Sequence, residues 1–166
     1  MLKGLHHNAY RCRDSEETRR VYSEFLGLPL VQAFTINQTQ TGRTTRTLHS
    51  FYQMDDGSCL AFFEAPDMPF EFQDRHDFDL HIALEVTPED LEAMFAKGKV
   101  EGIETRGVSN HGFIDSIYFR DPNGYVIELT AKRADHDEIM REAARTARAN
   151  LDEWQRLKFA ASPANV

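Results

Sequence analysis

One order of elements occurs twice in this chain, and that repetition leaves few folds open. Residues 4 to 13 (Gly-Leu-His-His-Asn-Ala-Tyr-Arg-Cys-Arg) read as a strand. Asp14 or Ser15 caps a helix with an acidic first turn, Glu16 and Glu17, whose Val21, Tyr22 and Phe25 lead to a stop at Gly27. A short strand, Pro29–Phe34, precedes a polar stretch from Asn37 to Thr47 with no apolar period, expected to be a mobile loop. Leu48–Met54 and Cys59–Glu64 then form a hairpin around Asp55-Asp56-Gly57-Ser58. The second pass starts at Asp79-Leu80-His81-Ile82-Ala83-Leu84-Glu85-Val86, a strand with Leu80, Ile82, Leu84 and Val86 on one face and His81, Ala83 and Glu85 on the other. Thr87 caps a helix with Pro88 at its first position, running through Leu91, Met94 and Phe95 to end near Gly98. A short segment at Ile103–Val108, a loop with Asn110-His111-Gly112, a strand Phe113–Arg120, the turn Asp121-Pro122-Asn123-Gly124 and a strand Tyr125–Thr130 complete it. Two βαβββ units, about 60 to 75 residues apart, make an internal duplication in an α+β fold.

With 41% hydrophobic residues, twelve of its residues Phe, the chain can fill one domain's core. The duplicated part occupies residues 1–132, as modules at about 4–65 and 78–131 joined by the proline-broken connector Pro66–Asp77. Residues 133–166 are read as an amphipathic helix to about Phe159 and a tail. Its Ile139, Ala143, Ala147, Leu151 and Trp154 recur at helical spacing, which suits packing on its own domain and a dimer contact equally. A net charge of −8 argues against a phosphate backbone as partner, since that needs a basic face. Cys12 and Cys59, in no CxxC spacing, are expected as reduced thiols in the cytoplasm. Nowhere do 18 uncharged apolar residues run together, so no membrane span is expected.

Alternation assigns the polar residues of the strands to faces. His7, Ala9 and Arg11 share one side of the first strand, and Val126, Glu128 and Thr130 one side of the last, both matching the His81 pattern. Leu60, Phe62 and Glu64 lie on one side of their strand, with Cys59, Ala61 and Phe63 on the other. If the halves curl toward each other, His7 and Glu64 meet His81 and Glu128. Two imidazoles with one or two carboxylates suit a first-row divalent metal with open positions for water or substrate. Any one of these residues alone reads more simply as a satisfied strand histidine or a solvated glutamate; four at equivalent places in two repeats do not.

The segments Leu5-His-His-Asn-Ala-Tyr-Arg-Cys-Arg-Asp14, Tyr22-Ser-Glu-Phe-Leu-Gly-Leu28, His81-Ile-Ala-Leu-Glu-Val86 and Tyr118-Phe-Arg-Asp-Pro-Asn-Gly-Tyr-Val-Ile-Glu128-Leu resemble the vicinal oxygen chelate superfamily. That group includes glyoxalase I, extradiol dioxygenases, methylmalonyl-CoA epimerase and the bleomycin and fosfomycin resistance proteins. The resemblance covers residues 4 to 131 and implies paired βαβββ modules forming a cup-shaped mixed sheet around a metal, with the terminal helix outside the match. It places His7 and His81 on the family's module-leading ligands and Glu128 on its last-strand glutamate. Glu64 falls where glyoxalase I and the epimerase have a fourth ligand, although Gly57 to Glu64 spans seven positions and Gly124 to Glu128 only four.

The resemblance implies three activities. A glyoxalase I-like lyase or isomerase would hold Ni, Zn, Co or Mn and act through a metal-stabilised enediolate, with Glu128 as base and Arg11 gripping an anionic substrate group. This is the reading that four ligands favour. An extradiol dioxygenase would use His7, His81 and Glu128 to hold Fe(II), with Tyr118 at the position of that family's active-site tyrosine. His111 lies in a His-Gly pair like theirs, seven positions before Tyr118 where about nine are expected. A non-catalytic binding or resistance protein is the third, and retention of the ligand set argues against it. Phe62 and His49 are expected to line the cup with Arg11 and His111. The expected partner is a small molecule, possibly anionic, and the expected assembly a homodimer.

Overall fold

A computed structural model describes residues 1–72, 76 and 78–160. The connector residues 73–75 and 77 and the tail residues 161–166 lie outside the described residues. The elements in order are β1 (His7–Arg11), α1 (Ser15–Arg19), β2 (Leu30–Gln38), β3 (Thr44–Gln53), β4 (Cys59–Glu64), β5 (His81–Val86), α2 (Pro88–Glu101), β6 (Thr105–Asn110), β7 (Ile114–Arg120), β8 (Val126–Lys132) and α3 (His136–Ala160). They form two four-stranded sheets, ordered β1-β4-β3-β2 and β5-β8-β7-β6. The second order repeats the first, element for element. In the first sheet β1 runs parallel to β4, while β4 to β3 and β3 to β2 are antiparallel. This is the α+β, duplicated βαβββ arrangement expected from the sequence. Contacts divide the chain into two compact units, residues 1–82 with 119–127, and residues 83–118 with 128 onward.

In the first unit, the cap of α1 is Asp14: its Oδ1 accepts the N–H groups of Glu16 (2.9 Å) and Glu17 (2.8 Å). The helix continues past Arg19 with wider, i to i+5 bonding over Arg20–Phe25, and Leu26 N–H reaches Val21 O at 2.9 Å. It carries Tyr22 onto β4, where its ring lies 4.6 Å from Phe62 and 5.7 Å from Tyr52, all three buried. The stretch expected as a loop is instead the two arms of a hairpin: β2 extends to Gln38, β3 starts at Thr44, and a turn over Thr39–Gly42 joins them. Its Thr and Gln residues show no alternation because β2 is an edge strand exposed along nearly its whole length.

A polar knot closes this unit. Asp121, buried, accepts the Tyr22 hydroxyl (3.1 Å) and the Asn123 amide (2.9 Å) at Oδ2, and the Asn123 and Tyr125 N–H groups (2.9 and 2.8 Å) at Oδ1. Asn123 Oδ1 accepts Arg13 N–H at 2.7 Å, and the Tyr125 hydroxyl donates to Arg11 O at 2.8 Å. Burial raises the Asp121 carboxyl above the usual aspartate range in spite of these donors.

In the second unit, Thr87 Oγ1 accepts Asp90 N–H at 3.1 Å, as its capping role requires. The helix α2 does not end near Gly98 but passes through it to Glu101 and stops at Gly102, which takes φ +72°. Gly98 is buried on the same helix as Leu91, so the missing side chain sits where the helix packs rather than where it ends. The helix α3 spans 25 residues, as expected from its period. No described helix is long and apolar enough to cross a membrane. Both cysteines are free thiols and buried, and burial pushes the Cys12 thiol up.

Candidate functional site

Register decides which side chains of the first sheet face one another. His7 pairs with Cys59, Ala9 with Ala61 and Arg11 with Phe63, while Phe63 pairs with His49 and His49 with Phe34. Partners in register project to one side of a sheet, so His7, Arg11, Phe34, His49, Phe51 and Phe63 share a face. The His7 ring lies 5.3 Å from Phe51 and 6.2 Å from His49, and His49 stacks on Phe63 at 3.8 Å with 14° between planes. Because the Phe62 carbonyl, 3.0 Å away, only accepts, His49 Nδ1 is the protonated nitrogen. His7 Nδ1 lies 2.7 Å from His6 Nδ1; when His7 donates in that bond, its Nε2 lone pair is left for a metal.

Glu64 and Phe62 occupy the other face. Phe62 is buried against Tyr22, Tyr10 and Tyr52 and belongs to the core rather than to a substrate lining. Glu64 Oε2 accepts the N–H of Ser15 at 2.8 Å, at the start of α1. The carboxylate therefore satisfies an orphan donor of the helix and faces away from His7. Arg11 keeps to the His7 face, but its Nη2 donates to the carbonyls of Ala65 (3.2 Å) and Met68 (3.0 Å), and its guanidinium lies 5.0 Å from the Phe70 ring. Its Nε is buried without a partner among the described residues. Arg11 thus braces the connector beside a cleft of about 240 Å³ that also holds Arg13, Glu64 and Phe72. His81 stands exposed as the first residue of β5.

The second unit brings three of the expected residues together. Glu128, buried on β8, accepts the Tyr118 hydroxyl at Oε1 (3.3 Å). The same hydroxyl lies 2.8 Å from His111 Nε2. With the phenol proton directed at Glu128, the phenol oxygen is the acceptor and His111 Nε2 the donor. The result is a chain from an exposed imidazole through a phenol to a buried carboxylate. Burial, and then the negative charge of Glu128, raise the Tyr118 phenol above its usual range, so it stays protonated at neutral pH. The Arg106 guanidinium lies 5.5 Å from the Tyr118 ring centre, a contact that sequence spacing did not reveal. The aromatic surround of His49 was also missed, although alternation along Thr44–Gln53 and Cys59–Glu64 implies it. Among the described residues, no three His, Cys, Asp or Glu side chains stand together as a metal set.

The model of the glyoxalase/bleomycin resistance protein/dioxygenase superfamily matches residues 4–129. No curated protein matches this sequence. Among solved structures, a glyoxalase/bleomycin resistance protein/dioxygenase domain from Frankia sp. EAN1pec is 20% identical with a TM-score of 0.63, over 80% of this chain and 100% of that one. A glyoxalase/dioxygenase from Nostoc punctiforme is 21% identical with a TM-score of 0.61, over 79% of this chain and 92% of that one. The fosfomycin resistance protein FosX from Listeria monocytogenes, crystallised with Mn(II) and sulfate, is 20% identical with a TM-score of 0.61, over 82% and 95% of the two chains. At such identities the likeness is one of fold.

Proposed function

Because this chain belongs to the glyoxalase/bleomycin resistance protein/dioxygenase superfamily, we propose that it is a metal-dependent enzyme acting on a small molecule with two neighbouring oxygens, as an extradiol-type ring-cleaving dioxygenase. The observation that carries the reading is the His111–Tyr118–Glu128 chain. The ligands we assign from the family resemblance are His7, His81 and Glu128, two imidazoles and a carboxylate whose donor chemistry fits Fe(II) and other first-row divalent ions, although the described residues show no preassembled metal set. Such an ion would act as a Lewis acid toward the substrate oxygens and leave room for O2.

The protein's own part is proton handling. Tyr118, kept protonated, donates toward the carboxylate and can take a proton from His111 as it gives one up. The exposed His111 then exchanges with solvent. A catechol must lose a proton before its ring is opened. Taken up by Glu128, that proton leaves by the same chain with its hydrogen bonds reversed, Glu128 giving a proton to the Tyr118 oxygen as Tyr118 gives its own to the Nε2 of the other His111 tautomer, which releases one to solvent. The aromatic face of Phe34, Phe51, Phe63 and His49 suits a planar ring.

The lyase or isomerase reading keeps Glu128 as a base and uses the same chain. Its particular support was Glu64 as fourth ligand, and Glu64 is engaged with Ser15 N–H on the other face. Protein purified without oxygen, loaded with Fe(II) and offered catechols should consume one O2 per ring opened. Turnover of hydroxy-carbonyl substrates with Ni, Zn, Co or Mn, and none of catechols, would favour the isomerase reading instead.

A further inference from the structure

The helix α3 (His136–Ala160) lies beyond the family match at residues 4–129, and no described residue covers its outer length. Every residue from Arg141 to Trp154 is exposed. At 100° per residue, Ile139, Met140, Ala143, Ala147, Leu151, Trp154 and Leu157 fall within one arc of about 120°, while most of its charges lie on the remainder. Met140, Leu151, Trp154 and Leu157 are 45%, 50%, 61% and 47% exposed, too much apolar surface on a single helix to be incidental.

The charges along this helix are segregated by half. Residues 135–142 carry four carboxylates, Asp135, Asp137, Glu138 and Glu142, against one arginine. Residues 145–158 carry four cations, Arg145, Arg148, Arg156 and Lys158, against two carboxylates. In the acidic half Ile139 and Ala143 lie on an open helix surface beside Asp135, Glu138 and Glu142. The basic half carries the bulky apolar residues, Trp154 and Leu157.

We propose that α3 docks on the α3 of a second copy of this chain, antiparallel. Trp154 and Leu157 of each copy then lie over Met140 and Ala143 of the partner copy's apolar stripe, and each acidic half faces a basic half. Only an antiparallel, two-fold arrangement satisfies both ends at once, because a parallel pair would set acidic half on acidic half. Small residues in the middle of the stripe, Ala143 and Ala147, let the two axes approach closely. A membrane surface is the poorer occupant, since the chain's net charge of −8 opposes an anionic bilayer.

Disulfide cross-linking of the full chain tests the geometry. The native Cys12 and Cys59 are buried, so only introduced thiols react. Met140→Cys and Leu157→Cys chains mixed together should form heterodimeric disulfides at roughly tenfold the yield of either variant alone. Trp154→Glu, on a surface that does not support the fold, should raise the dimer dissociation constant roughly tenfold or more by sedimentation equilibrium, with helicity unchanged. The proposal is overturned by a monomer at all concentrations, by equal self-cross-linking of each variant, or by a dimer that forms no 140-to-157 cross-link. Binding of the monomer to lipid vesicles through α3 would overturn it as well.

Discussion

Removing the Tyr22 hydroxyl should loosen the fold by an amount that depends on Asp121. The Tyr22→Phe change deletes one of four donors to a buried carboxylate and leaves three in place. A hydrogen bond to a charged group contributes about 1.5–3 kcal/mol, and the surviving donors put the expected loss at about 1–2 kcal/mol. Asp121→Ala is a larger perturbation, because it leaves the buried Tyr22 hydroxyl and two backbone N–H groups without their acceptor. Several orphaned buried donors together cost about 3–5 kcal/mol. The double variant should fall short of additivity by about 1 kcal/mol, since Tyr22→Phe already removes the hydroxyl that Asp121→Ala would orphan. Urea unfolding followed by far-ultraviolet circular dichroism at neutral pH measures all three. The pH dependence follows from the raised Asp121 carboxyl: the folded state holds its proton more tightly than the unfolded chain. Its contribution to stability is therefore fully present below the ordinary aspartate value and lost as pH rises through the raised one. Wild type should lose stability relative to Asp121→Asn over that interval. A Tyr22→Phe variant as stable as wild type, with fully additive energies, would refute the knot as a cooperative unit.

Three further outcomes follow from the structure. Phe62→Ala should cost about 3–5 kcal/mol in urea unfolding, because Phe62 is a core side chain and not a ligand contact. Gly107→Ala should cost on the order of 2–4 kcal/mol, since Gly107 takes φ +113° and an added Cβ would stand 2.7 Å from the backbone oxygen of Ser116; thermal melting would detect it. Tyr118→Phe should lower kcat by roughly 100-fold or more while leaving bound metal unchanged, as steady-state kinetics and metal analysis of one preparation would determine.

The duplicated fold was legible because each half carries its own punctuation: Asp14 and Thr87 as caps, Asp56-Gly57 and Asn123-Gly124 in the turns, and alternation along β4, β5 and β8. The hairpin of β2 and β3 was not, because an exposed edge imposes no apolar period on Thr and Gln. Gly98 read as a stop, since sequence does not distinguish a glycine that ends a helix from one that lets it pack closely. Glu64 is the instructive residue of the site. Alternation alone told that it shares a side with Leu60 and Phe62, but which side meets His7 depends on the β1–β4 register, a long-range pairing. His111 and Tyr118 met in spite of a spacing shorter than the family pattern, because the contact is made between side chains across a turn in which Gly112 takes φ +89°.

The most direct measurement is the metal content of protein purified without oxygen or chelators, compared with that of His81→Ala, by elemental mass spectrometry. The account predicts close to one equivalent of a first-row divalent metal per chain, iron for the dioxygenase reading, and its loss in the variant. A wild-type chain that holds no metal and takes none up on addition would contradict it, as would a His81→Ala protein that binds metal as well as wild type.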